Sequence, residues 1–203
     1  MVSRATGKVI YVINDVDIFG LQYGQSPYAS CVFFEKNRCL TNAHVFLSKP
    51  VGEIIIQIQQ QNKAKHYKAV IDYWDGKTDL VILKTKKKVS IEPVKLARNC
   101  TVGEDTMYGG YGNFPSPKIR FGKLNYDSQY GFYVNDMYYG DSGAGIFNMK
   151  GELLGIFYSI FTLKAGNEET FRGYAVPLEA LRQFLNDELG KRVEDNQGRD
   201  TIY

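Results

Sequence analysis

Apolar residues in this chain come in short runs, often alternating with polar ones, and Gly, Asn, Asp, Lys or Pro turns separate them. Such runs fall at 9–12, 32–34, 54–58, 70–73, 80–83, 119–121, 131–134, 146–147, 153–158 and 174–176. Side chains of a strand alternate between its two faces, so this spacing predicts an all-β fold. One segment has a helical period instead: Leu178, Leu181, Phe184 and Leu185 share a face behind Pro177, which suits a first helical turn. The pattern predicts a short C-terminal helix over 177–189 packed on the second half of the fold. The charged stretch 191–203 has little to bury and is expected to be loosely held.

The most informative stretch is Gly140-Asp141-Ser142-Gly143. A serine between glycines on a tight turn can present its hydroxyl to a substrate while the N–H groups of Gly140 and Ser142 converge as an oxyanion hole. The hydroxyl needs a base, and imidazole is the side chain suited to that near neutrality. Of the two histidines, His66 lies in a basic polar stretch with no acid beside it, whereas His44 follows an apolar strand-like approach in a small-residue turn. The imidazole needs a carboxylate in turn. Asp79 stands at the mouth of the apolar run 80–83, open to two readings: a cap on the turn at 74–77, or the acid partner of His44.

The order His44, Asp79, Ser142, carried in Thr41-Asn42-Ala43-His44-Val45, Thr78-Asp79-Leu80-Val81-Ile82 and Gly140-Asp141-Ser142-Gly143, resembles the chymotrypsin-fold (trypsin-like) serine proteases. Gly151-Glu152-Leu153-Leu154-Gly155-Ile156 resembles the strand that follows the nucleophile in that family, and Gly173-Tyr174-Ala175-Val176-Pro177 resembles the strand-then-proline close of HtrA-like peptidases; a peptidase domain without the PDZ module that those proteins append is expected. Cys31 departs from the family's usual small-residue run at 29–33. The resemblance implies two antiparallel six-stranded β-barrels, 1–88 with His44 and Asp79 and 89–203 with Ser142, joined by a hinge near 84–105. It implies a serine endopeptidase acting through an acyl-enzyme on a protein or peptide. Asp136, six residues before Ser142, is open to two readings: it matches the acid that receives a basic side chain at the base of a buried pocket, or it faces solvent in a loop of different length; Tyr138 and Tyr139 border that pocket. Tyr158, Ser159 and the strand ending at Gly173 form its other wall. Asp141 matches an acid that pairs with a new N-terminal amine in secreted relatives, and here it is expected to take backbone N–H or tyrosine hydroxyl bonds instead.

Composition narrows the setting. The 203 residues carry a formal charge of +3, too little for dependence on a large basic patch, so the lysine cluster at 84–88 reads as a solvated loop and nucleic acid as an improbable partner. Three cysteines cannot all pair, and counting outward from the turn at Lys36-Asn37 sets Cys39 opposite Phe34, which disfavours a bond to Cys31. No Cys or His spacing fits a metal site, and no cofactor is implied. The first residues lack an apolar leader and no segment could span a membrane, so a cytoplasmic setting is expected, bacterial or viral. Physiological substrate and oligomeric state are not encoded legibly. One rival reading is a processing protease that cuts only a few sites in a defined precursor or partner; a second is a protease-like binding module that holds peptide or nucleic acid without turnover.

Overall fold

The computed structural model describes residues 5–13, 28–47, 51–60, 63–112, 114, 116–165 and 168–199. In the first half, β1 (Thr6–Ile13), β2 (Tyr28–Glu35) and β3 (Arg38–Thr41) lead to a one-turn helix α1 (His44–Leu47), then β4 (Val51–Gln60), β5 (Lys63–Trp74) and β6 (Val81–Thr85). The six strands close into an antiparallel barrel in the order β1-β2-β3-β6-β5-β4. Strand β4 gives the reason in miniature: Ile54, Ile56 and Ile58 turn inward with Val9, Cys31 and Phe33, and the residues between them stay half-exposed. The run at 80–83 breaks that alternation because both of its faces are covered. Val81 and Leu83 fill the barrel, while Leu80 and Ile82 face the second half of the molecule.

The second half contains β7 (Asp105–Gly110), β8 (Lys118–Lys123), β9 (Asn125–Asp127), β10 (Gly131–Asn135), β11 (Gly145–Asn148), β12 (Leu153–Ala165) and β13 (Glu168–Pro177). These form one sheet in the order β8-β7-β11-β12-β13-β10-β9, seven strands where six were expected. Leu124 alone separates β8 from β9, the two edges of that sheet, so the sheet curls back on itself to bring its edges together. The segment between β6 and β7 crosses from one half to the other. Val94 N–H donates to the Phe33 carbonyl (2.9 Å), Ala97 N–H donates to Leu153 O (2.9 Å), and Leu153 N–H donates to Lys95 O (2.8 Å).

A helix, α2 (Leu178–Arg199), ends the described chain. Pro177 closes β13 instead of opening the helix, and the helix continues past Gly190 through the stretch expected to be loose. Side-chain pairs one turn apart support the extension: Gln183 donates to Asp187 (2.7 Å), and Arg192 pairs with Glu188 (3.5 Å). The last four residues of the anticipated tail lie outside the described residues. Leu181 and Phe184 of α2 join Val32, Leu40 and Ile82 from the barrel and Phe147, Leu153 and Ile156 from the sheet in a core shared by both halves. The helix also grips the barrel by charge. Buried Arg38 donates to Glu188 (2.5 Å), Asp72 (2.8 Å) and Glu35 (3.2 Å).

A β-bulge shifts the β2–β3 register so that Cys39 faces Phe33, one residue from the position counted from the turn. Cys31, Cys39 and Cys100 are all free. Among the described residues, no helix is long and apolar enough to cross a membrane.

Candidate active site

Two acids stand in the turn before β6, and they do different work. Asp75 Oδ1 accepts the N–H groups of Lys77 (2.8 Å) and Thr78 (2.9 Å) and the Thr78 hydroxyl (3.1 Å). Burial alone would push the Asp75 carboxyl up; the bonds from Thr78 and Lys77 outweigh it and hold it below the usual value. With Asp75 closing the turn, Asp79 is left to face α1. Its backbone carbonyl accepts from Ala43 N–H (3.3 Å) and Asn42 Nδ2 (3.0 Å), which ties the approach to His44 against it. Its carboxylate takes the His44 backbone N–H at 2.7 Å through Oδ1 and meets His44 Nδ1 at 2.6 Å through Oδ2. The other ring nitrogen, Nε2, lies 3.2 Å from Ser142 Oγ. His66 is exposed on β5, opposite Gln57 and far along the barrel from this cluster.

The turn carrying Ser142 needs its glycines. Gly140 (φ +88°) and Gly143 (φ +83°) are both left-handed, where a side chain is strained. A Cβ on Gly140 would meet Gly112 O at 2.8 Å, and one on Gly143 would meet Ser30 O at 2.0 Å. Within the turn, Asp141 N–H bonds to Tyr138 O (3.0 Å), Gly143 N–H to Phe157 O (2.9 Å) and Ala144 N–H to Asp141 O (2.7 Å). None of these bonds uses the N–H of Gly140 or Ser142. The barrel braces the turn from the other side. Ser30 N–H donates to Ser142 O (2.7 Å), and Thr41 Oγ1 donates to Ser30 O (2.7 Å).

Asp141 is 1% exposed, and its partner is one the sequence did not disclose: Arg120 Nη2 on β8, at 2.5 Å from Oδ2. The same oxygen accepts the Tyr138 N–H (3.0 Å), as expected of this acid. Burial pushes the Asp141 carboxyl up, opposed by the Arg120 charge and the N–H groups of Tyr138 and Gly112. The Arg120 guanidinium lies over the Tyr138 ring, 5.1 Å from its centroid. An internal cation therefore stands where an N-terminal amine was the family precedent.

Of the two readings of Asp136, the structure has the solvent-facing one. Asp136 is exposed, at φ +58°, with its N–H on Phe171 O (3.0 Å); it is not a buried acid. The buried position is that of Met137, packed so close to Gly173 that a Cβ there would lie 2.3 Å from Met137 Cγ. Tyr138 and Tyr139 are exposed, and Tyr158 sits at a bulge in β12 beside Ser159. Past Phe157, β12 keeps β13 on one side and has no ladder partner on the other among the described residues. No three His, Cys, Asp or Glu side chains gather as a metal site among the described residues.

With this geometry in hand, the likenesses to known proteins are coherent. The family model of the trypsin-like peptidase domain matches residues 29–156. A probable periplasmic serine endoprotease, DegP-like, from Buchnera aphidicola is 32% identical over 139 residues, 62% of this chain and 29% of that protein. Mouse serine protease HTRA3 is 26% identical over 195 residues, 88% of this chain and 41% of that protein. The chain thus spans well under half the length of these relatives. The serine endoprotease from Yersinia pestis shares the fold at a TM-score of 0.69 and 21% identity, covering 92% of this chain and 63% of that one. The chain belongs to the trypsin-like peptidase domain family.

Proposed function

We propose that the chain is a serine endopeptidase with Ser142 as nucleophile, His44 as general base and Asp79 as the acid that orients His44. The observation that carries this is the single imidazole ring bridging Asp79 at 2.6 Å and Ser142 at 3.2 Å. In the first step Ser142 Oγ attacks the scissile carbonyl carbon and its proton passes to His44 Nε2. The carbonyl π pair becomes an oxyanion held by the N–H groups of Gly140 and Ser142. Collapse breaks the C–N bond, and the same proton leaves with the amine. Water, deprotonated by His44, then releases the acid and restores Ser142. Asp79 stays ionised throughout and stabilises the imidazolium.

An extended substrate adds to the free edge of β12 beyond Phe157, past Tyr158 and Ser159, in the manner of an added strand. Exposed Tyr138 and Tyr139 offer aromatic contact beside the nucleophile, which favours selective processing over general digestion. Asp136, being exposed, attracts a basic P1 side chain only through water-screened charge, and Met137 and Gly173 lend the neighbouring wall an apolar character. Free Cys31 and Cys39 support a reducing, cytoplasmic setting.

Hydrolysis of a peptide library by the purified protein, beside Ser142→Ala with unchanged circular dichroism, tests this reading. The expected result is turnover that falls by about 10⁶ in the variant. Turnover retained by a folded Ser142→Ala protein would overturn the assignment.

A further inference from the structure

A cleft of about 470 Å³ opens beside Asp79, and neither His44 nor Ser142 lines it. Asp79 lies on its wall, with Tyr126 and Phe132 from the β9–β10 hairpin, Tyr130 from the turn between those strands, Tyr158 from the β12 bulge, and Pro177. Its volume is that of a ligand pocket. Its chemistry is one-sided. Asp79 is the only ionic side chain on the wall, and no Lys, Arg or His lines the cleft among the described residues. Each Asp79 oxygen accepts one bond from His44, yet 28% of the side chain stays exposed. A carboxylate oxygen has room for a second donor. The field of that charge reaches into the cleft: burial, Tyr174 and Asp79 together push the Tyr158 phenol up.

The aromatic walls suit the same ligand. Tyr126 is 55% exposed and Tyr130 39% exposed, so both leave ring surface uncovered. Tyr126 stands edge-on to Phe132 (5.3 Å between centroids), and Tyr130 leans on Phe161 (4.6 Å). The neighbouring arginine does not supply the missing charge, since Arg172 is stacked on Tyr133 (4.7 Å) and directed to Asp127 (3.6 Å). A ring face attracts a cation, and an apolar stem gains by leaving water.

We propose that this cleft is a binding site for a cation on an aliphatic stem, the lysine side chain of a peptide, held between the faces of Tyr126 and Tyr130 and the open side of Asp79. Charge complementarity selects that occupant over a neutral one. Occupancy is coupled to the reaction, because a cation at Asp79 opposes the positive charge that His44 acquires when Ser142 is deprotonated. Binding stands on the cleft alone; the coupling rests on the proposed roles of His44, Asp79 and Ser142.

The test is equilibrium binding of pentylammonium, with pentan-1-ol as its neutral counterpart, to the Ser142→Ala protein by ligand-observed NMR. The expected result is that pentylammonium binds at least tenfold tighter than pentan-1-ol. The Tyr126→Leu/Tyr130→Leu variant, which keeps apolar area but loses both ring faces, weakens pentylammonium at least tenfold. The Asp136→Asn variant leaves its binding unchanged. Equal binding of the alcohol, undiminished binding to the leucine variant, or loss of binding in Asp136→Asn would each overturn the site. In the protein with Ser142 intact, pentylammonium slows labelling of Ser142 by a small fluorophosphonate, and the leucine variant abolishes that response. Binding without slowing overturns the coupling. Absence of labelling with no ligand present would strike the proposed catalytic roles and leave the binding result standing.

Discussion

Asp141 is the residue whose environment asks most of the fold. It is almost fully buried, it holds the turn that carries Ser142, and its charge is met by Arg120 from β8. Removing one partner of a buried pair leaves the other uncompensated, which is costlier than lacking the pair altogether. Arg120→Leu is therefore expected to cost about 3–5 kcal/mol in urea unfolding. The double variant Arg120→Leu/Asp141→Asn, with both charges gone, recovers most of that loss. A double variant no more stable than the single one would remove the pair from the account. The division between Asp75 and Asp79 is of the same kind: one acid satisfies the turn, and the other is free to meet His44. The grouping of Ser142, His44 and Asp79, whose catalytic roles are the proposal, was legible because few residue types can do that chemistry and each stood in a recognisable local string. Ser30, Thr41 and Arg120 were not. They are ordinary residues locally, and they acquire a role only when distant strands bring them against the Ser142 turn. The two readings of Asp136, pocket acid or solvent-facing loop residue, stayed open because sequence offset fixes neither the depth of a loop residue nor which of two neighbours, Asp136 or Met137, turns inward.

At the scale of elements, the apolar runs became strands, most of them by burying one face or both; the runs at 70–73 and 119–121 form strands although Val70, Ile71 and Phe121 stay exposed. The shorter strands left weaker signals. Strand β3 was visible only as the return arm of the hairpin at Lys36-Asn37, since one of its four buried residues is a charged arginine, and β9 is only three residues long. Strand β7 ends in two glycines required by close approach: a Cβ on Gly110 would lie 2.5 Å from Ser30 Oγ and 2.6 Å from Asp141 Oδ1. Helix α2 outran its expected end because its second half is sustained by ion pairs and by ring contacts such as Lys191 over Tyr73 (4.9 Å), and those depend on the barrel it lies against. The bond from Arg38 to Glu188 joins two buried side chains from opposite ends of the chain. Glu188→Ala should cost about 3 kcal/mol, the low end for a broken buried pair because Asp72 and Glu35 still face Arg38. Urea unfolding measures this, and a loss below about 0.5 kcal/mol, the size of an exposed helix pair, would mean that the clamp is a surface contact.

At the scale of the molecule, the proposed chemistry lies across a closed barrel and a curled sheet. His44 and Asp79 belong to the six-stranded barrel, and Ser142 to the seven-stranded sheet. Their alignment depends on the shared core around Ile82, Phe147 and Phe184, on the crossing segment at Val94 and Ala97, and on the bond from Ser30 to Ser142. The expectation of two barrels came from His, Asp and Ser motifs that recur in that order in a known family, and the first of them is the closed six-stranded barrel. The curled seven-stranded sheet was not legible, since its curl goes with the single residue between β8 and β9 and with no pattern of apolar positions. The most direct test of the account is treatment of the purified protein with a fluorescent fluorophosphonate, followed by mass spectrometry of the labelled peptide. An assembled base and oxyanion hole predict a single adduct on Ser142, lost in His44→Ala. A folded protein that stays unlabelled, or that is labelled at another serine, would contradict it.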